Sequence, residues 1–312
     1  SEIIKYPEPL SPMKYYFNNS WTLLHQLAQI LLTFGFSADN SSRIILFLST
    51  LCFGISSFLI VNRFTLNKYL ALSVCIFMLI FQKNFGDTDY PSLIFSNQSY
   101  GMLSLALSSL IFSLIINENF KYSGFFTLLL ISVHPVIGFW MLSISVISLI
   151  ILNNRKVSLD FCKGGIFGLA ITLISLLLFF INNIEKLNFD SNLLRIYMEF
   201  WDGHRNQKGI IHYEYLIKTL LLFIVINTYY LLQVNKQKKL FQIIINLSII
   251  FSTVSYLSYK FIPQFFPDIL IRAMPSRFLI LHSFIGWPII ISVIYFIFLK
   301  FNHLKKFAKS FI

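Results

Sequence analysis

Residues 124–152 read GFFTLLLISVHPVIGFWMLSISVISLIIL, an apolar run longer than one membrane crossing requires and broken near its middle by His134-Pro135. About 20 consecutive apolar residues cross a hydrocarbon core ~30 Å thick as a helix. A proline inside a helix removes a backbone hydrogen bond and clashes with the preceding turn. Two shapes therefore compete for this run. It is one kinked span, or a broken helix or hairpin whose apex lies at His134-Pro135-Val136-Ile137-Gly138, so that the chain enters and returns. Irregular backbone at membrane depth is tolerated only where protein or a wet cavity covers it.

The flanking charges favour the hairpin. Cytoplasmic loops of membrane proteins carry an excess of Lys and Arg. Grouping 62–68, 118–123, 153–163, 235–239 and 300–312 on one side collects 13 Lys and Arg in 42 residues. The remaining loops, 1–20, 37–41, 83–100, 183–213 and 260–277, carry 10 in 92 residues. The first set is expected to be cytoplasmic, which requires 124–152 to enter and return. A single kinked span would instead invert every later loop and put the basic Asn235-Lys-Gln-Lys-Lys239 segment outside.

Composition supports the membrane setting. Of 312 residues, 56% are hydrophobic and only 12% charged, and the mean hydropathy is +0.71. A soluble domain carries about twice that charged fraction. The net charge of +12 sits at the ends of apolar segments, not in a soluble basic module, so no nucleic-acid partner is expected. The partner is the lipid bilayer. Cys52 and Cys75 fall in apolar segments and Cys162 in a short basic loop. With no CxxC spacing, all three read as free thiols.

The fold class is therefore all-α, a polytopic transmembrane bundle of about 8–10 membrane segments. Residues 1–312 form one integral membrane domain: 1–41 an outer loop and interfacial helix, 42–300 the bundle, and 301–312 a basic cytoplasmic tail. Trp21 to Phe36 is too short for a span and reads as the interfacial helix. Spans are expected at 42–61, 69–82, 101–117, 164–182, 215–234, 240–259 and 278–299, besides the hairpin. The richness in Lys, Asn, Ile and Phe points to an AT-rich genome and a bacterial cytoplasmic membrane. The polar start at Ser1 gives no cleavable signal sequence in this numbering. Removal of an initiator Met and loss of an upstream helix both account for it.

Candidate chemistry gathers on the side away from the basic loops, where all the acids except Glu118 and Asp160 are expected. In Lys83–Gly101, KNFGDTDYPSLIFSNQSYG, Asp87 and Asp89 would act as a catalytic base or hold a divalent cation such as Mg2+ or Mn2+; they equally suit a solvated loop in which Asp caps the next helix. Tyr90, Asn97 and Tyr100 offer the amide and aromatic surface that sugar or headgroup recognition uses, or simply anchor an interface. His134 is a lone ionisable group at membrane depth, catalytic by default or else a neutral imidazole bonded to a carbonyl freed by Pro135. Trp201, Asp202, His204 and Arg205 combine a stacking ring, an acid, a base and a phosphate-binding cation in one loop. Arg272 and Arg277 flank Pro275 and would grip a diphosphate or ordinary lipid headgroups. No nucleophile elbow, HExxH helix or phosphate-binding loop is present.

The outer acids Asp87 and Asp89, the interfacial helix following an outer loop (Tyr15 to Phe36), and Arg272 with Arg277 in a late outer loop together resemble the GT-C class of polytopic glycosyltransferases. That resemblance implies a polyprenyl-phosphate-linked sugar as donor, transfer on the non-cytoplasmic face and a role in cell-envelope assembly. The chain departs from the class in its opening 20 residues, where only Glu2 and Glu8 are available as the acid usually found after the first span. Two other functions fit the residues: a transporter or flippase with a midplane site at the His134-Pro135 break, and a non-catalytic membrane subunit.

Overall fold

The computed structural model describes residues 21–85, 100–182, 213–232, 239–262 and 285–309. Among them are ten helices and no strand: α1 Leu23–Thr33, α2 Ala38–Thr65, α3 Lys68–Phe85, α4 Tyr100–Ile116, α5 Phe120–Val133, α6 Pro135–Leu152, α7 Arg155–Asn182, α8 Tyr213–Leu232, α9 Lys239–Phe261 and α10 Trp287–Lys309. Ala38–Thr65, Pro135–Leu152, Arg155–Ile181 and Leu240–Ser258 are long and apolar enough to cross a membrane. The chain is a multi-pass helical bundle. At 11 residues, α1 is about 16 Å long and cannot cross.

The hairpin reading of 124–152 holds. The chain breaks at His134, which is extended (φ −148°, ψ 96°), the backbone region a residue before proline prefers. Pro135 occupies the first turn of α6, where its missing N–H costs nothing. A side chain on Gly138 would lie 2.5 Å from the Cα of Ile131. In a continuous helix those residues would be about 10 Å apart, so the chain doubles back here.

The most extensive helix interface joins α5 to α7, and glycine makes it. A Cβ on Gly164 would meet the carbonyl oxygen of Lys121 at 1.7 Å, and one on Gly168 that of Phe125 at 2.2 Å. From the other side, a Cβ on Gly124 would meet the carbonyl of Phe161 at 2.0 Å. Thr172 continues the seam by donating its hydroxyl to the Leu128 carbonyl at 2.9 Å. Small residues spaced four apart let backbones touch, and this packing substitutes for a hydrophobic driving force that lipid does not supply. The register rises together, 121 with 164, 125 with 168 and 128 with 172. The two helices are therefore parallel, and α6 between them runs back.

That parallel pair fixes the ends of the bundle. Arg63 pairs with Glu118, bringing the end of α2 to the turn before α5. Asn67 donates to the Tyr295 hydroxyl at 3.5 Å, and Lys300 donates to the last carbonyl of α8, Leu232, at 2.9 Å. Phe64, Tyr229, Phe241 and Phe296 close the same end as edge-to-face rings. The Phe64–Tyr229 and Tyr229–Phe296 centroids are 4.6 and 5.1 Å apart, and Phe64–Phe241 are 6.3 Å apart. The turns at 66–67, 117–119 and 153–154, the helix ends at Leu232 and Lys239 and the end of α10 therefore gather at one basic end. This is the grouping that charge density predicts.

Two expectations about boundaries are corrected. Residues 155–163 are not loop: α7 starts at Arg155, because Asn154 caps it through bonds from the Lys156 and Val157 N–H groups. Cys162 is thus an exposed helical residue. Likewise α2 runs to Thr65 and ends in a left-handed Leu66, with Asn67 capping α3. All three cysteines are free.

Replacing Gly168 by alanine is expected to lower stability by about 1–3 kcal/mol in detergent unfolding. Gly165→Ala, whose Cβ would have no neighbour closer than 3.4 Å, is expected to be neutral or slightly stabilising. Topology reporters inserted at Asn119, at Asn153 and after Lys309 are expected to report one side of the membrane, and a reporter at Ile262 the other. A reporter at Asn153 agreeing with Ile262 would remove the hairpin.

Candidate functional site

The end opposite the basic turns collects the helix ends that flank the candidate segments. It holds the His134 break, the start of α4 at Tyr100, the close of α7 at Asn182, the start of α8 at Tyr213, the close of α9 at Phe261 and the start of α10. The helix ends on either side of 86–99, 183–212 and 263–284 therefore all lie at this end. Asp87, Asp89, Tyr90, Asn97, Trp201, Asp202, His204, Arg205, Arg272 and Arg277 fall within those three segments and lie outside the described residues. Tyr100 is the first residue of α4.

His134 is the candidate the structure describes in atomic terms, and it has a structural duty. Its side chain is buried at 6% exposure, and its Nδ1 accepts the Ile137 N–H at 3.3 Å. Its carbonyl accepts the Gly138 N–H at 2.8 Å, while its own N–H bonds to the Leu130 carbonyl at 2.8 Å. The imidazole thus caps α6 in the manner of an Asn or Asp. An accepting Nδ1 carries no proton, so the proton of the neutral ring sits on Nε2. The non-catalytic sequence reading, an imidazole bonded to a carbonyl freed by Pro135, is corrected in its partner: the bond described for the ring comes from the Ile137 N–H of the helix that follows.

Helix α1 is clamped at this same end. Trp21 donates its indole N–H to Ser175 Oγ at 3.0 Å. Gln26 donates to the Ser175 carbonyl at 2.8 Å and accepts from its hydroxyl at 2.6 Å. Ser175 lies about 30 Å along α7 from Arg155, which puts α1 at the far end. His25 lies 2.9 Å through Nδ1 from the hydroxyl of Thr22, the residue that caps α1. Burial lowers the pKa of His25 below its ordinary value of 6.5.

A polar cluster that sequence reasoning passed over joins α8 to α9. Asn227 donates to Asn246 Oδ1 at 3.0 Å and accepts from Gln242 at 2.7 Å and Asn246 at 2.9 Å. The signal was available, since these are isolated amides in apolar helices. Their groups are largely spent on one another, so the cluster acts as interhelical glue. Among the described residues, no group of three or more His, Cys, Asp and Glu side chains is placed to hold a metal.

His134→Ala is expected to cost about 1 kcal/mol through the lost cap, while His134→Asn, which caps equally well, is expected to restore the thermal midpoint. Since the folded state depresses the His25 pKa, its contribution is fully present above pH ~6.5 and fades as pH falls through the lower folded value. The melting temperature of the wild type is therefore expected to drop between pH 7.5 and 5, and His25→Gln to flatten that drop. Comparison with known families, with curated proteins and with solved structures finds no match to this chain.

Proposed function

We propose that this multi-pass membrane protein is a glycosyltransferase of cell-envelope assembly, using a lipid-phosphate-linked sugar at the end of the bundle opposite its basic turns. The observation that carries the reading is the gathering of helix ends. The described helices that flank the segments bearing Asp87 and Asp89, Trp201 to Arg205, and Arg272 with Arg277 have those ends together, away from the turns at 66–67, 117–119 and 153–154. By the charge rule the basic end faces the cytoplasm and the C-terminus lies there. The catalytic end then faces outward, where a lipid-linked donor is reached from the bilayer.

In this reading Asp87 or Asp89 takes the proton of the acceptor hydroxyl, or holds Mg2+ or Mn2+ against the donor phosphate. Arg205, Arg272 and Arg277 bind the phosphates, and Trp201 and Tyr100 stack on the sugar. His134 positions the α5–α6 corner and is not required as a base. The transporter alternative has less support from the break itself. Broken-helix transporters present unpaired helix ends to an ion or substrate, whereas the Ile137 and Gly138 N–H groups here are taken by His134.

The test is transfer from polyprenyl-phosphate sugars to lipid or glycan acceptors in proteoliposomes. The double variant Asp87→Ala, Asp89→Ala is expected to lose at least about 100-fold in rate, the scale of a removed general base. Undiminished transfer by that variant would dismiss the assigned roles.

A further inference from the structure

Lys260, one residue before the end of α9, is a cation in the wrong kind of place. A lysine at a membrane boundary ordinarily snorkels, laying its stem on apolar surface and putting its ammonium in water. Here the Nζ is closed off from solvent and, among the described residues, has no hydrogen-bond partner. It does not bond the last carbonyls of its own helix, the usual service of a lysine at a C-terminus. It sits instead 5.5 Å from the centre of the Tyr256 ring, and Tyr256 is itself only 1% exposed, packed with Leu216 and Leu257. The acid in the first turn of α8, Glu214, is paired with Lys218 at 3.9 Å. An ammonium taken out of water without a counter-ion is costly, and a ring face offsets only part of that cost.

Alongside it, α9 presents an apolar stripe to the exterior. Ile250, Val254 and Phe261 are 48%, 57% and 67% exposed, and at spacings of four and seven they share one face of the helix. A covered cation at the membrane boundary beside an exposed apolar stripe matches an amphiphile with an anionic head and a hydrocarbon tail. We propose that Lys260, over Tyr256, binds the phosphate of such an amphiphile, whose chain lies along Ile250, Val254 and Phe261. The assignment rests on the lipid-phosphate reading above and adds to it a cation on the bundle itself.

Binding is measured on the full chain in detergent with three probes: a polyprenyl monophosphate, the corresponding polyprenol, and inorganic phosphate. The monophosphate is expected to bind, and Lys260→Met to weaken it about tenfold or more, as loss of a charge-assisted bond does, with Lys260→Arg retaining most of it. Equal affinity in the Met variant overturns the site. Inorganic phosphate that binds as tightly as the amphiphile overturns the apolar half and identifies a free anion as the ligand; polyprenol that binds as tightly overturns the role of Lys260. Should the Met variant not fold, a photoactivatable polyprenyl phosphate on the wild type decides. Crosslinks on 250–261 support the site, and crosslinks confined elsewhere remove it. Sugar transfer is read separately, so binding without transfer refutes the enzyme while leaving the lipid site standing.

Discussion

The bundle depends on the bare-backbone contact between α5 and α7. Without side chains at Gly124, Gly164 and Gly168, carbonyls of one helix come within the radius a methyl would fill on the other. Dispersion over a long, close seam is what associates helices in lipid, because moving apolar side chains from lipid to protein gains little. The seam also sets direction. Two helices that are parallel and separated by one intervening helix force that helix to return, so the orientation of everything after residue 134 follows from three glycines and a proline.

The basic end is built from asparagine. Asn67, Asn119, Asn153 and Asn154 stand in its turns, and the turns are short because asparagine does two things there. It accepts a left-handed backbone, as Asn153 does at φ 49°, and its carbonyl oxygen caps the next helix, as Asn67 and Asn154 do. Long helices can then reverse within two or three residues, and the lysines and arginines lie on helix ends. The edge-to-face rings from four helices below those turns fix the spacing of α2, α8, α9 and α10 from the same end.

Much of the fold was legible in the sequence because composition, apolar length and the charge of the turns are strong signals in a membrane chain. The hairpin was readable from His134-Pro135 and the distribution of lysine. The seam was not, since Gly164, Gly165 and Gly168 open an expected span and a glycine in a helix looks like a weak point until its neighbour is known. The extent of α7 was missed for another reason: Asn154 as a cap outweighs the polar Arg155-Lys156 that suggested a loop. At the site, His134 was legible as a residue with a purpose, yet its purpose depended on which N–H its ring would meet. The Asp87, Trp201 and Arg272 neighbourhoods were read from residue chemistry alone, and the helix ends that flank them give a common end of the bundle, not a geometry. Lys260 carried no signal at all, because a lysine closing an apolar helix is ordinary until its nitrogen is found covered.

The shortness of α5 has a consequence for the membrane. Its 14 residues give a rod of about 21 Å, well under the ~30 Å of a typical hydrocarbon core. A hydrophobic mismatch of that size is met by thinning the bilayer, tilting or cover from neighbouring protein. Its partner α7, with 28 residues, overshoots it at both ends: the register of 121 with 164 and 128 with 172 leaves about eight residues of α7 beyond α5 at the basic end and about five at the far end, where α1 is clamped. Whichever response the bilayer makes to the mismatch, the His134 corner is met about one helical turn short of the level at which α7 ends.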